Sequence, residues 1–342
     1  MAVNDKKVFL YVGKSNEAGT TTYPTYTDAQ IKAFNADEFV LTCGNYDGYL
    51  KDWDAMDEYI ASLLTLAKQV IRCTGKFIWL GIPRPPKAQK DLSGEWIPIT
   101  MDEYEDYAYR YLNWFIEPIR QELIQLIAPN GHDYYYTYVQ GFYMNDEHVS
   151  RSDLGFGVDF SYSNLLSHPQ IFMYSIISDH LKSSTYGWKK LLWAPYAGRG
   201  GNFDTTYADI AYIANTTDIF DTVLLQPGVY LHSNKDVDLN SDVIRNSMNM
   251  QEVRTRDAKG NTNNRVVAKR SSTKIGCQME IDEKFIYNPT VYEATYDKTV
   301  NKLGGSNVTV PSDRHFSFYW GADTGAMADL TKEVNEFFAN LN

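Results

Sequence analysis

The sequence predicts an α/β protein, a single-domain (β/α)8 TIM barrel over residues 1–342, and three observations carry that expectation. Eight short apolar runs alternate with stretches of helical length, which implies right-handed parallel crossovers. The runs are continuously apolar, as expected of parallel strands buried on both faces. The turn after the first run, Val12-Gly-Lys-Ser-Asn16, has neither G-x-G-x-x-G nor G-x-x-x-x-G-K-[ST], the phosphate turns of doubly wound sheets. No internal repeat is present.

Residues 7–13 form the first expected strand. Thr27-Asp-Ala-Gln30 has the spacing of a capping box and opens a short helix running through Phe34. The second strand is 38–44. From Asp54 to about Cys73, Met56, Tyr59, Ile60, Leu63, Leu64, Leu66, Ala67 and Val70 recur at helical spacing. The third strand, 76–83, is closed by Pro83, Pro85 and Pro86, which cannot donate to a ladder. A long helix over 101–127 follows, with Tyr107, Tyr111, Trp114, Phe115, Ile119 and Leu123 expected on its inner face.

The fourth strand opens at Tyr138. A loop to about Pro169 and a helix over 171–181 lead to the fifth strand, 190–196, and to the turn Gly198-Arg-Gly-Gly201. A short helix over 207–214 precedes the sixth strand, 222–227. The stretch 236–272 is poor in apolar residues. Its first half has helical character and its tip, around Lys259-Gly-Asn-Thr-Asn-Asn-Arg265, reads as a loop or hairpin. The seventh strand is 275–281. A second irregular insertion, 288–313, separates it from the eighth strand, 315–321. An amphipathic helix over 327–341 ends the chain.

Composition narrows the function. With 43 acidic and 32 basic residues the net charge is −11, and no basic run carries interleaved aromatics, so no nucleic-acid partner is expected. The 26 Tyr, 16 Phe and 7 Trp suffice for a large core and also for stacking platforms under sugar rings. Cys43, Cys73 and Cys277 give no disulfide framework and no metal-ligand spacing, and their apolar neighbours predict buried thiols. The histidines show no H-x-H or H-E-x-x-H pattern, so no metal site is expected, and no serine nucleophile elbow is present. No stretch reaches the roughly 18–20 apolar residues of a membrane span. The first seven residues lack the apolar core of a signal peptide. A cytosolic protein, and a secreted or surface protein whose leader has been removed, both fit.

The chemistry is expected where the strands end, because a barrel gathers its ligands there. Tyr138-Val-Gln-Gly-Phe-Tyr-Met-Asn-Asp-Glu147 starts as a buried strand and breaks into Asn145, Asp146, Glu147 and His148. Alone, Asp146 and Glu147 are as readily caps of the next segment. The same design recurs in Ile275-Gly-Cys-Gln-Met-Glu-Ile-Asp282, which places Glu280 and Asp282 at another strand end. The remaining ends offer Asn45, Tyr46 and Asp47; Arg84; Trp193, Tyr196 and Arg199; Gln226 and Tyr230; and Tyr319, Trp320 and Asp323.

This inventory suits a polyhydroxylated ligand. Carboxylates perform chemistry, amides such as Asn145 and Gln226 meet hydroxyls, and rings such as Tyr143, Trp193, Tyr196, Tyr230 and Trp320 meet sugar faces. Asp282 is a further contact. Trp193 and Trp320 suit the core as well as a platform. Arg199, between glycines, either clamps a carboxylate or sulfate on an acidic sugar or faces solvent. Two carboxylates from different strands are what glycoside hydrolysis needs, one to protonate the leaving oxygen and one to attack or to activate water. Strands four and seven lie on opposite sides of an eight-stranded barrel, so their ends face one another.

The order of these motifs resembles that of barrel glycosidases in which acid/base and nucleophile follow strands four and seven. More specifically, Gly141-Phe-Tyr143, Leu192-Trp-Ala-Pro-Tyr-Ala-Gly198, Leu225-Gln-Pro-Gly-Val-Tyr230 and Gly276-Cys-Gln-Met-Glu-Ile-Asp282, spread over about half of the chain, resemble a bacterial family, domain of unknown function 4855. The resemblance implies a glycosidase-like barrel with Glu147 as acid/base and Glu280 as nucleophile. One departure is Asn145-Asp146-Glu147, where many such barrels have an asparagine directly before the glutamate, so Asp146 stays open as the acid with Glu147 in support. The expectation is a retaining glycoside hydrolase that acts on an oligo- or polysaccharide without a cofactor. The alternative is a non-catalytic carbohydrate-binding barrel, a module of a larger extracellular protein.

Overall fold

A computed structural model of the chain describes residues 3–15, 21–22, 24–43, 53–85, 88–90, 93, 95–146, 168–196, 203–228, 237–254, 269–303, 313–320 and 324–341. The apolar runs become eight strands: β1 Val3–Ser15, β2 Glu38–Cys43, β3 Phe77–Ile82, β4 Val139–Met144, β5 Lys190–Trp193, β6 Thr222–Leu225, β7 Lys274–Glu280 and β8 Asp313–Tyr319. Each pairs in parallel with the next, and β1 also pairs with β8 from Val3↔Asp313 to Phe9↔Tyr319, closing the barrel.

The helices are α1 Asp28–Ala33, α2 Trp53–Thr74, α3 Met101–Arg110, α4 Glu117–Ile124, α5 Tyr134–Tyr138, α6 Pro169–Leu181, α7 Phe203–Thr216, α8 Val237–Met250, α9 Lys284–Tyr287, α10 Pro289–Leu303 and α11 Met327–Asn340. Thr27 and Gln30 form the expected capping box at the start of α1, each side chain accepting from the other's backbone N–H. No helix among the described residues is long and apolar enough to cross a membrane.

The helical first half expected of 236–272 is α8, whereas 288–313, expected to be irregular, holds α10, which packs on α8. Their places after β6 and β7 make them the crossover helices of the barrel. The apolar signal of α10 is weak because its buried side is narrow and partly polar: Tyr296, Thr299 and Leu303. The long helix over 101–127 is also modified. A π-helical segment, Tyr111–Ile116, joins α3 to α4. A π segment accommodates an extra residue and shifts the phase of the helix. Tyr111 and Phe115 therefore stay fully buried, while Trp114, expected inside, is 53% exposed.

Strand pleating sorts the core into two layers. Phe9, Val40, Trp79, Tyr143, Leu192, Ala194 and Leu224 fill the barrel interior. Their neighbours Leu10, Leu41, Leu80, Met144, Trp193, Val223, Met279 and Phe318 face the helices in a second cluster. Trp79 has room because Gly141 lies beside it on β4, where a Cβ would sit 2.8 Å from the indole and 2.1 Å from the Lys190 carbonyl oxygen.

The floor of the barrel is ionic. Lys7, fully buried on β1, pairs with Asp5 and, at 3.0 Å, with Glu38 of β2. The Trp79 indole N–H donates to the same Glu38 oxygen at 2.5 Å, and His315 of β8 meets Asp5 at 2.7 Å. Burial by itself would raise the Asp5 carboxyl, but the His315 hydrogen bond and the Lys7 ammonium outweigh it and hold the group well below the usual carboxylate range. One network thus ties β8, β1, β2 and β3 together.

Removing the cation strands two carboxylates, so K7M is expected to lose about 3 kcal/mol of stability, read from the urea midpoint at unchanged slope. Asp5 also fixes a pH dependence. An unfolded Asp titrates near about 4, and the folded value is lower, so the contribution is present above about pH 4 and is lost as pH falls through the folded value. Urea midpoints taken between about pH 6 and pH 2 should show that fall, and H315A, which removes one partner of Asp5, should make it shallower.

Candidate active site

The interior face of each strand continues upward to the carboxyl end of the barrel. There the inward series ends in Tyr11 on β1, Asn145 after β4, Gln226 after β6, Glu280 on β7 and Tyr319 on β8. The inward aim of Glu280 follows from its neighbours. Cys277 and Met279 sit in the outer layer, so Gln278 and Glu280 point the other way. Glu280 is 5% exposed and lies in register with Tyr319 on the adjoining strand. The Tyr319 ring is met edge-on by Tyr11, with centroids 5.4 Å apart.

Gln226 donates from its amide to the Ala194 carbonyl oxygen at 2.7 Å, and a bridge joins it to Tyr196. The Tyr196 ring lies against Gly228, whose φ of +63° and whose absent Cβ, which would stand 2.5 Å from the ring, leave no place for a side chain. Tyr143 lies deeper, packed edge-on to Phe9 at 5.1 Å in the interior layer. Asp282 is turned to local work. Its carboxylate accepts from the Lys284 backbone N–H at 3.0 Å and faces the Lys284 ammonium at 3.5 Å, at the start of α9.

Asp146 lies elsewhere. It is fully buried and follows the outward-facing Met144 by one pleat, so its carboxylate enters the strand–helix layer. There it accepts from the Tyr174 hydroxyl of α6 at 2.5 Å and stands 3.8 Å from the Arg84 guanidinium. Burial, with the Asp146 charge, pushes the Tyr174 phenol well above its ordinary value, so it remains a donor. The expected catalytic Asp146 is thus placed away from the mouth.

Trp193 and Trp320 are corrected in the same way. Both are fully buried and outward-facing, Trp193 stacked on Phe220 at 4.9 Å and Trp320 edge-on to Tyr26 at 6.0 Å, so neither offers a ring to a ligand. Glu147, His148, Arg199, Tyr230, Asn45, Tyr46, Asp47 and Asp323 lie outside the described residues. Two residues of consequence were missed in the sequence. Tyr11 shares the parity of Lys7 and Phe9 on β1, a signal that was present; Tyr174, inside an evenly apolar helix, had none.

Among the described residues no group of three or more His, Cys, Asp or Glu is placed to hold a metal ion. Cys277 is buried, as expected, and burial raises its thiol pKa well above the ordinary value; Cys73 is half-buried. Among the described residues the mouth therefore presents the Glu280 carboxylate beside phenols and amides, groups that bind hydroxyls and can exchange a proton or form an ester.

No protein-family model and no curated protein sequence matches the chain. Solved structures similar in fold include a GH5-4 broad specificity endoglucanase from Clostridium longisporum, at 12% identity over 97% of this chain and 92% of that one, with a TM-score of 0.48. PbGH5A, a glycoside hydrolase family 5 enzyme from Prevotella bryantii B14, is 11% identical over 98% and 97%, with a TM-score of 0.47. GH26C from Muricauda sp. MAR_2010_75 is 10% identical over 97% and 84%, with a TM-score of 0.46. These likenesses are of barrel architecture.

Gly228 supplies a test of how the mouth is built. G228A requires a left-handed alanine and a displaced Tyr196 ring, and is expected to cost about 2 kcal/mol, read as a lowered thermal midpoint.

Proposed function

We propose that the chain is a glycoside hydrolase acting on an oligo- or polysaccharide with retention, Glu280 being the nucleophile and Glu147 the acid/base. Its membership of the domain of unknown function 4855 family, suggested by the four motifs, is part of the same reading. The observation that carries it is Glu280 itself: a carboxylate aimed into the mouth at the end of β7, nearly withdrawn from water, beside the in-register Tyr319. A hydrophobic strand has little reason to bury an acid there, since an unneeded carboxylate costs several kcal/mol. Asn145 and Gln226 supply amides for sugar hydroxyls, and Tyr11, Tyr196 and Tyr319 supply ring edges. The outward burial of Asp146 favours Glu147 as the acid.

The same burial also favours a second reading. With Asp146 withdrawn, Glu280 is the inward carboxylate that the described mouth presents, which is enough for a carbohydrate-binding barrel without turnover.

The deciding experiment is reducing-end release from a panel of glucans, xylans, mannans and chitin, with binding to the same polymers measured in parallel. E280Q and E147Q are each expected to lower turnover by about 10²–10⁴-fold while leaving binding intact. Turnover that survives E280Q removes Glu280 from the nucleophile's role. Binding without turnover in the unaltered protein transfers the assignment to the binding barrel. The anomer formed first, followed by proton NMR, should match the substrate's configuration if the mechanism retains.

A further inference from the structure

Asp146 is built into a latch that the chemistry above does not use. The last ladder bond of β4 runs from the Asn145 N–H to the Ile82 carbonyl oxygen at 3.2 Å, and beyond it the chain leaves the sheet. At that point three elements take hold of Asp146. The Trp193 indole N–H at the end of β5 donates to its carbonyl oxygen at 2.5 Å. The Tyr174 hydroxyl of α6 donates to its carboxylate at 2.5 Å and itself accepts from the Gln170 amide at 2.7 Å. Arg84, just past β3, stands 3.8 Å away on the other carboxylate oxygen.

Packing alone does not require this arrangement. Met144, one pleat below, fills the same outward layer with an apolar side chain. A buried carboxylate is expensive unless its partners are well placed, and its separate anchors fix a backbone in a way that a methionine does not. What the fixed backbone carries is Asn145, 5% exposed and aimed inward at the mouth, with Glu147 following in the sequence.

We propose that Asp146 is a positioning residue: gripped by Tyr174, Trp193 and Arg84, it locks the exit of β4 and so holds the Asn145 amide at its place in the mouth. Its functional consequence rests on the hydrolase reading, while the geometry can be tested without it. The Asn145 side-chain amide is followed in nitrogen–proton correlation spectra of the full chain and assigned with N145D. The Gln226 side-chain amide, two strands along at the end of β6 and assigned with Q226E, serves as the control.

D146A, and Y174F as the milder variant that removes one oxygen, should each move the Asn145 amide signal from its wild-type position and leave the Gln226 signal where it was. An Asn145 signal unchanged in either folded variant overturns the proposal. Displacement of both signals together overturns it too, because that marks general loosening. On a polymer that the unaltered protein cleaves, D146A should also lower kcat by about 10²-fold with little change in KM, the signature of a misplaced group in the mouth. Unchanged kcat with a displaced Asn145 would refute the functional half. If no turnover exists, the hydrolase reading falls, and the spectra still decide the latch.

Discussion

The pairing of β1 with β8 is the constraint on which the rest depends. Seven consecutive register pairs, Val3↔Asp313 through Phe9↔Tyr319, turn an open parallel sheet into a ring. Without that seam the sheet would keep two unpaired edges and no common mouth. The seam is reinforced below by ions, since His315 on β8 and Lys7 on β1 meet on Asp5, and Lys7 extends the network to Glu38 and Trp79. A hydrophobic plug would also fill the floor. The ionic one adds direction, because a displaced strand would leave a buried charge without its partner.

The two ends of the barrel place polar groups on opposite terms. At the floor the charges neutralise one another. At the mouth Glu280 stands among phenols and amides, and the acid next to the inward-facing Asn145, Asp146, is drawn outward and tied to α6. Neighbouring residues on an extended chain point to opposite faces, so a run such as Asn145-Asp146 serves the cavity and its scaffold at the same time. The sheet thereby separates residues offered to a ligand from those that steady them.

This separation explains what was and was not legible in the sequence. The strands were legible because parallel strands buried on both faces are apolar throughout, and α1 was legible because Thr27 and Gln30 satisfy a specific local geometry. The same double burial hid the parity of each strand. Nothing in Leu191-Leu-Trp193 says which side chain faces the axis, so Trp193 and Trp320 read equally as platform or core. Acidity at a strand end does not reveal direction, so Asp146 reads in the sequence as a mouth residue. The helix α10 is not legible, because a narrow buried stripe of Tyr296, Thr299 and Leu303 gives little periodic signal. Glu280 was legible from its position in a strand of otherwise apolar outward residues.

The π-helical segment between α3 and α4 has a wider consequence. It acts as a phase coupling between two stretches of helix that each keep their own inner stripe: Tyr104 and Ala108 before it, Ile119 and Leu123 after it. Within it Tyr111 donates through its hydroxyl to the Pro83 carbonyl oxygen at 2.9 Å, beside the end of β3. The element is accordingly tolerant of chemistry on its exposed side, where Trp114 lies, and intolerant of any change in length. One residue more or fewer would turn one half against the other by about a hundred degrees and pull either Tyr111 or Leu123 out of the core. For this part of the chain, spacing is a stricter constraint than identity.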